Sequence, residues 1–452
     1  MLAEEKAELE KTIREIEQLA TDMGLDPFPT HFEIVPPSIM YEFGAYGIPG
    51  RFNHWTRGKA YHMMKTQYDY GLNRIYELVI NTNPSIAFLL ENNRLIDNKF
   101  VAAHVLGHTD FFKNNIYFQS TSRNMVDRAA LNADRIQKYE FEHGEEEVER
   151  FLDRLLSIEQ HVNPHPLRRT LFTTRTRSLD PPSERSRNPM KNYEDLFQRA
   201  DAGQPEPSKT ELADEDLRLD LLLFLHERAP KLEDWQRDLI AIVREERLYF
   251  QPQIQTKIIN EGWATYWHTR ILRELPLRDD EFLAFAQLHA SVQAPYRGGI
   301  NPYALGFRIW ENIERELAAD GDRSVLFEIR AVEDDVSFLR NYLTKELIED
   351  MDLYLFRYEQ DEWRVVDRDW ERIREALVLE RINGGSPVIE IVDDDYGGNR
   401  ELYLKHSFDG RELDLNDARL TLKNVAKIWG RAVHLETYLG EELKVLHSMP
   451  GD

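Results

Sequence analysis

Residues 97–112 read DNKFVAAHVLGHTDFF, and this stretch decides both the fold and the chemistry predicted for the chain. Asp97 is an acceptable N-cap, and the residues after it follow a helical pattern that no proline interrupts. His104 and His108 are four residues apart, so on a helix their imidazoles project from one face within reach of a single ion. Gly107 removes bulk beside them. The stretch predicts a buried helix that carries a pair of metal-ligand side chains.

A second stretch of the same kind lies at residues 260–268, NEGWATYWH. Glu261 and His268 are seven residues apart, which places them on one face of a helix, while Trp263 and Trp267 point elsewhere to pack. Burial of an unpaired carboxylate among Trp, Tyr and Ala side chains would be costly. The stretch therefore predicts a second buried helix whose polar side chains meet partners.

Together the two helices can supply three or four nitrogen and oxygen ligands to one divalent metal ion. We expect His104, His108 and Glu261 to hold the ion, and His268 to be a fourth ligand or an acid/base catalyst. Zinc suits three such ligands plus water, and iron or manganese are alternatives because His and carboxylate ligands discriminate weakly. An isolated pair of histidines four residues apart is more often an incidental feature. The second stretch is what favours the metal site.

The pattern is similar to that of zinc peptidases in which one helix carries H-E-x-x-H and a later helix supplies a Glu. Here Val105 stands where those peptidases have the Glu that serves as general base. A base can come instead from Glu42, Glu91, Glu159 or His289, and the sequence does not select among them. Peptidase chemistry by the usual route is therefore not predicted.

Residues 301–306, NPYALG, follow a glycine-containing loop that we expect to border the site. Tyr303 in this segment can donate a hydrogen bond to a developing oxyanion. His268 and Tyr303 are thus the predicted catalytic residues. The sequence contains no glycine-rich phosphate loop, Walker pattern or serine nucleophile elbow.

Bulk composition excludes several classes of protein. With 57 Lys and Arg against 81 Asp and Glu, the net charge of −24 repels nucleic-acid phosphates and anionic membrane surfaces. The absence of cysteine excludes disulfides, thiolate zinc sites and cysteine nucleophiles. The N-terminus is acidic, unlike a signal peptide, and no apolar run is long enough to cross a bilayer. We expect a cytoplasmic protein that binds neither nucleic acid nor membranes.

A chain of 452 residues favours two packed units. We predict a mainly α large domain over residues 1–331, which contains the buried His/Glu site, and a smaller C-terminal α+β domain over residues 332–452. The large domain includes a helical segment at about 58–90 and a flexible insertion at about 176–215, which is rich in Pro, Ser and charged residues. In the C-terminal domain, short β-like runs flank a helix at about 415–430.

Long motifs in this chain strongly resemble those of the SpoVR family, the stage V sporulation protein R group. They are HFEIVPPSIMYEFGAYGIPGRFNHW (31–55), ENNRLIDNKFVAAHVLGHTDFFKNN (91–115), NEGWATYWH (260–268), NPYALG (301–306) and AKIWGRAVHLET (426–437). The likeness covers nearly the whole chain. Val105 fits the family's histidine motif, so the missing Glu is a trait of the group.

The resemblance implies a cytoplasmic protein linked, in spore formers, to assembly of the spore cortex peptidoglycan. Relatives in organisms that make no spores often occur beside a PrkA-type serine kinase and a protein with a von Willebrand factor A domain, which suggests a role in stress or starvation physiology. The resemblance implies a process without a reaction or a substrate.

Two hypotheses follow from the sequence. The first is a metal-dependent hydrolase that acts on an amide or peptide bond, in which an unidentified carboxylate activates water. The alternative is a non-catalytic regulator or scaffold in which the His/Glu cluster is structural and the C-terminal domain binds a partner, namely the kinase or the von Willebrand factor A-domain protein.

Overall fold

Helices make up most of the chain that the computed structural model describes, which comprises residues 3–46, 77–163, 217–295, 299–317, 321–359 and 362–452. The helices are α1 (Ala3–Asp22), α2 (Pro37–Tyr46), α3 (Leu95–Asn114), α4 (Met125–His143), α5 (Glu145–Leu156), α6 (Leu221–Arg228), α7 (Asp234–Gln255), α8 (Lys257–Glu274), α9 (Asp279–Val292), α10 (Pro302–Leu317), α11 (Ser324–Val332), α12 (Asp335–Tyr342), α13 (Lys345–Asp350), α14 (Trp370–Arg381) and α15 (Leu415–Trp429). The strands are β1 (Thr30–Val35), β2 (Leu78–Ile80), β3 (Ser85–Leu90), β4 (Leu355–Glu359), β5 (Glu362–Asp367), β6 (Ile389–Tyr396), β7 (Glu401–His406), β8 (Val433–Leu439) and β9 (Glu442–Ser448). The predicted fold class is confirmed: a large helical body contains a buried His/Glu cluster, and the C-terminal region contains a sheet.

The chain divides into two compact units. The first comprises residues 1–160 and 233–387, and the second comprises residues 161–232 and 388–452. The domain boundary predicted near residue 332 stays a prediction. The insertion predicted at about 176–215 lies outside the described residues.

Helices α3 and α8 form the centre of the first unit. Helix α8 packs against α3 on one side and against α10 on another. Every residue of α8 from Ile258 to Thr269 is buried, as expected for a helix that has apolar residues on all its faces. The backbones approach closely where glycines meet, since a β-carbon added to Gly262 would lie 2.5 Å from the Cα of Gly306. The two predicted helices are therefore core elements.

Helix α3 begins slightly earlier than its sequence suggests. The N-cap is Arg94, and Asp97 lies three residues into the helix, where its carboxylate accepts the Arg94 backbone N–H at 3.1 Å. An acidic residue in the first turn pairs well with unsatisfied backbone N–H groups, so Asp at this position stabilises the helix start without being the cap.

A small sheet flanks the helices, and it corrects the helix predicted over residues 58–90. In the described part of that segment, β2 and β3 are strands. Strand β3 lies in the middle of the sheet, parallel to β1 and antiparallel to β2. In its sequence, SIAFLL, the last five residues are a continuous apolar run, and such a run fits a buried central strand as well as a buried helix. Pairing with distant β1 decides between them.

The second unit contains a four-stranded sheet in the order β6-β7-β8-β9. Helix α15 packs on β8 and β9, and α6 packs beside β6. The Phe224 ring of α6 stacks on Trp429 of α15, with centroids 5.5 Å apart. Helix α15 ends at Trp429, and Gly430, which follows it, has a φ of +77°, the left-handed conformation that glycine adopts without strain. The helix predicted at about 415–430 is present.

Among the residues that the structure describes, no helix is both long and apolar enough to cross a membrane.

Candidate metal centre

Four side chains converge on one buried point in the first unit. They are Glu77, His104, His108 and Glu261, and one potential ligand atom from each lies within 4.8 Å of all the others. The two histidines come from adjacent turns of α3, Glu261 comes from the second turn of α8, and Glu77 immediately precedes β2. The side chain of Glu77 is 20% exposed, whereas the other three are almost fully buried.

Four of the six distances among these ligand atoms match a coordination sphere, and the other two are at most 4.8 Å. The Nε2 atoms of His104 and His108 each lie 3.3 Å from Glu77 Oε1, and they lie 3.4 and 3.3 Å from Glu261 Oε2. Bonds of about 2.0–2.1 Å to a tetrahedral ion place the ligand atoms about 3.3–3.4 Å apart. Two imidazoles and two carboxylates are a donor set that zinc, iron(II) and manganese(II) all accept. The cluster can therefore hold a metal ion.

Hydrogen bonds behind the histidines orient their Nε2 atoms toward this point. His108 Nδ1 lies 2.9 Å from the side-chain oxygen of Asn260, which can only accept, so Nδ1 carries a proton and Nε2 is the nitrogen that can bind an ion after it loses its own proton. His104 Nδ1 lies 2.8 Å from Nδ1 of His268. Such partners are typical of metal-ligating histidines because they select the tautomer and hold the ring.

The electrostatics of the cluster show strong mutual stabilisation. Burial alone would raise the pKa of the Glu77 carboxyl, but His104 and His108 lower it to about 2. Burial likewise opposes ionisation of Glu261, yet Lys257 and His108 hold its pKa well below the ordinary value. Against burial, the two carboxylates raise the pKa of His104, and they raise that of His108 to about 10. The protonated imidazoles and the carboxylates thus stabilise one another, and a divalent cation can replace imidazole protons at the same place.

Lys257 and Tyr303 lie at the edge of the cluster. The Lys257 ammonium is 2.5 Å from Glu261 Oε1, the oxygen that faces away from the two histidines, and the Lys257 side chain is 51% exposed. The same ammonium lies 5.8 Å from the centre of the Tyr303 ring. Tyr303, in the first turn of α10, stacks on His104 with ring centroids 5.9 Å apart. Lys257 therefore connects the buried carboxylate of Glu261 to a solvent-exposed position.

His268 has a different place from the other predicted residues. It is fully buried, and both of its ring nitrogens face other imidazoles, His104 at 2.8 Å and His289 at 3.2 Å. Burial, together with the charges of His104 and His289, holds its pKa well below the ordinary value, so the ring is neutral. The structure places His268 behind His104 and outside the group of converging ligand atoms.

Glu77 is the member of the cluster that sequence reasoning missed. It occurs singly before an apolar run and shares no helical spacing with the histidines, so no pattern selected it. The predicted candidates Glu42, Glu91 and Glu159 are not in the cluster, and His289 reaches it only through His268. Glu77 meets both histidines, as Glu261 does, although no helical spacing relates it to either.

Comparison with known proteins agrees with the motifs. A family model described as SpoVR like protein matches residues 3–386, and one described as SpoVR-like C-terminal domain matches residues 387–440. The chain is 29% identical to the uncharacterized protein YcgB of Escherichia coli strain K12 over 476 aligned residues, which cover 95% of this chain and 91% of the relative. No solved structure matches the chain.

Proposed function

The chain belongs to the SpoVR family, and we propose that it is a metal-dependent hydrolase acting on an amide or peptide bond. The observation that supports the proposal is the convergence of Glu77, His104, His108 and Glu261 at coordination distances. When bound, a divalent cation supplies Lewis acidity for an attacking water and for a carbonyl oxygen. Zinc is the proposed ion, and iron or manganese are alternatives with the same ligands.

Glu77 fills the role that Val105 leaves vacant. A catalytic zinc site keeps three protein ligands and one open position, and His104, His108 and Glu261 are the three deeply buried candidates. Glu77 is the more exposed fourth group, adjacent to both histidines, so it can accept the proton of the attacking water. The base thus comes from the segment before β2 and not from α3.

Tyr303 is the proposed donor to the oxyanion that develops during the attack. Its ring lies against His104 on the side where Lys257 is exposed, so a substrate that enters there meets both side chains. A hydrogen-bond donor aimed at the developing charge stabilises the transition state more than the ground state.

Metal analysis tests the first step. Protein purified without chelator is expected to contain, or to take up, one divalent ion per chain. Glu77→Gln is expected to keep the ion and to lose about 10²–10⁴-fold of the hydrolysis rate measured on a panel of peptides and amides. Glu33→Gln, an exposed change of the same kind on β1, is the control and should alter neither. If wild-type protein neither contains nor takes up a stoichiometric ion, the proposal is lost.

One feature favours a second candidate, a non-catalytic regulator with a structural ion. If Glu77 is a ligand, four protein atoms close a tetrahedral sphere, as in structural zinc sites. The C-terminal domain would then bind a PrkA-type serine kinase or a von Willebrand factor A-domain protein. In this case Glu77→Gln loses the ion together with thermal stability, wild type hydrolyses nothing in the panel, and the purified kinase or A-domain protein binds wild type.

For either candidate, the proposed setting is the cytoplasm, in spore cortex formation or stress physiology. A hydrolase of amide or peptide bonds suits cortex formation because peptidoglycan contains both kinds of bond. Deletion of the gene, complemented with wild type or with Glu77→Gln, tests whether the cluster is needed for that process.

A further inference from the structure

Three imidazoles form a continuous hydrogen-bonded series that leads away from the metal centre. His104 Nδ1 contacts His268 Nδ1 at 2.8 Å, and His268 Nε2 contacts His289 Nδ1 at 3.2 Å. His289 Nε2 in turn lies 2.6 Å from the side-chain amide of Gln293. The series crosses from α3 through α8 to the C-terminal end of α9.

The series passes from the buried interior to a partly solvent-exposed position. His104 and His268 are buried, and the His268 ring packs on Phe100 with centroids 4.2 Å apart. His289 and Gln293 are half-buried. The burial of the inner two rings strengthens their hydrogen bonds and makes an unpaired N–H there costly.

Counting protons gives the series one direction. Two nitrogens 2.8 Å apart share a single hydrogen, so one ring donates and the other accepts. His104 must present the Nε2 lone pair to a cation, so its proton is on Nδ1 and His268 accepts at Nδ1. Because an Nδ1 that accepts carries no hydrogen, the ring proton of His268 is then on Nε2, where it is donated to His289 Nδ1. His289 donates from Nε2 to the amide oxygen of Gln293, since a half-turn of the amide exchanges its oxygen and nitrogen.

We propose that His268 and His289 are positioning residues that hold His104 in its metal-binding tautomer, with Gln293 as the terminal acceptor. His268 is then not a metal ligand. The inference rests on the metal centre of the proposed function, but it does not depend on hydrolysis. The two ligand histidines are oriented differently. The Nδ1–H of His108 donates to a single side-chain amide, that of Asn260, whereas the Nδ1–H of His104 donates to a series of two imidazoles and an amide.

Zinc affinity, measured by competition with a chelator, tests the role of His268. His268→Leu removes the acceptor and should weaken zinc binding about 10–100-fold, as loss of the partner of a metal-ligating histidine typically does. His268→Asn places an oxygen near the former Nδ1 position and should restore affinity to within a few-fold of wild type. His31→Asn, on an exposed histidine of β1, is the control and should have no effect.

Two further measurements separate positioning from ligation and from packing. The absorption bands of cobalt(II)-loaded protein should keep their position and intensity in the His268 variants, because the ligands are unchanged. His289→Leu, more peripheral and less prone to misfold, should weaken zinc binding by several-fold, while His289→Asn should not.

The outcomes that overturn the inference are distinct from those that overturn the proposed function. Equal affinity losses in His268→Leu and His268→Asn would show that the ring only fills space, and altered cobalt bands would show that it is a ligand. Unchanged affinity in His268→Leu and His289→Leu would refute the inference alone. Wild-type protein that takes up no zinc, cobalt, iron or manganese would refute both.

Discussion

Gly107 on α3 lies directly against Ala264 on α8, so close that a β-carbon added to Gly107 would fall 2.6 Å from the Ala264 Cα. Real β-carbons do not approach a backbone atom to this distance, so only glycine fits at this crossing. The contact sets the separation of the two helices. Because His104 and His108 are on one helix and Glu261 on the other, it also sets the distance between the ligands.

Gly107→Ala should therefore damage both stability and the metal centre. We expect a loss of about 1–3 kcal/mol from overpacking, measured by urea unfolding, together with a lower zinc affinity, because the helices must separate. Gly299→Ala is the matched control, since a β-carbon at Gly299 meets nothing within 4 Å. If the Gly107 variant matches wild type in both measurements, the crossing does not set the ligand spacing.

Asn260 should be needed for metal binding although it is not itself a ligand. Asn260→Leu leaves the His108 Nδ1–H without its acceptor at 2.9 Å and should weaken zinc affinity about 10–100-fold. Asn260→Asp keeps an acceptor of the same shape and should retain the affinity of wild type or exceed it. Chelator competition measures both variants. Equal losses in the two would mean that the Asn260 amide does not orient His108.

Asp335 should give the protein a pH-dependent stability. Its buried carboxylate accepts the backbone N–H groups of Ile258 and Ile259 at the start of α8. Burial raises its pKa from 3.8 to about 7, in opposition to those hydrogen bonds. The folded state thus holds the proton more tightly than the unfolded state, so stability falls as pH rises from about 4 to about 7 and changes little above. The difference between the pKa values of 3.8 and about 7 corresponds to a loss of roughly 4 kcal/mol in the free energy of unfolding over this pH range.

The pH dependence is tested with Asp335→Asn, which is neutral at every pH and keeps one acceptor. The free energy of unfolding of the variant minus that of wild type should increase from pH 4 to pH 8, because only wild type loses stability over this range. Urea unfolding at several pH values measures both. Asp279→Asn, on an exposed side chain, is the charge-matched control. A difference between Asp335→Asn and wild type that stays constant with pH would contradict the assignment.

Asp110 should be a major stabilising residue of the first unit. Its carboxylate accepts the Trp263 indole N–H at 2.8 Å and the Arg330 guanidinium at 3.0 Å, and all three side chains are buried. Asp110→Ala leaves the Arg330 charge unpaired inside the protein and should cost about 3–5 kcal/mol of unfolding free energy. Glu349→Ala, which removes the exposed partner of Lys345, should cost less than about 1 kcal/mol. A similar cost for both changes would contradict the account.

Local sequence was sufficient for much of the centre. The four-residue spacing of His104 and His108 places both rings on one face of any helix they form, whatever that helix packs against. The burial of α3 and α8 also follows from their own composition. The C-terminal helix could be recognised for the same reason, since the spacing of apolar residues along one segment is a local property.

Long-range packing decided the rest. Glu261 and His268 share a face of α8, but seven residues of helix separate them by about 10 Å along its axis, so one ion cannot bind both. The crossing of α8 over α3 decides that Glu261 meets the cluster and His268 lies behind His104. Glu77 joins through the sheet segment before β2, and β3 is a strand because β1 pairs with it.

The sequence by itself thus determined which side chains carry the chemistry on each helix and which family the chain resembles. Only the tertiary structure decided which carboxylate completes the cluster and which histidine supports another one. The physical reason is that helical spacing acts between neighbours along the chain, whereas a coordination sphere is assembled from segments more than 150 residues apart in the case of His104 and Glu261.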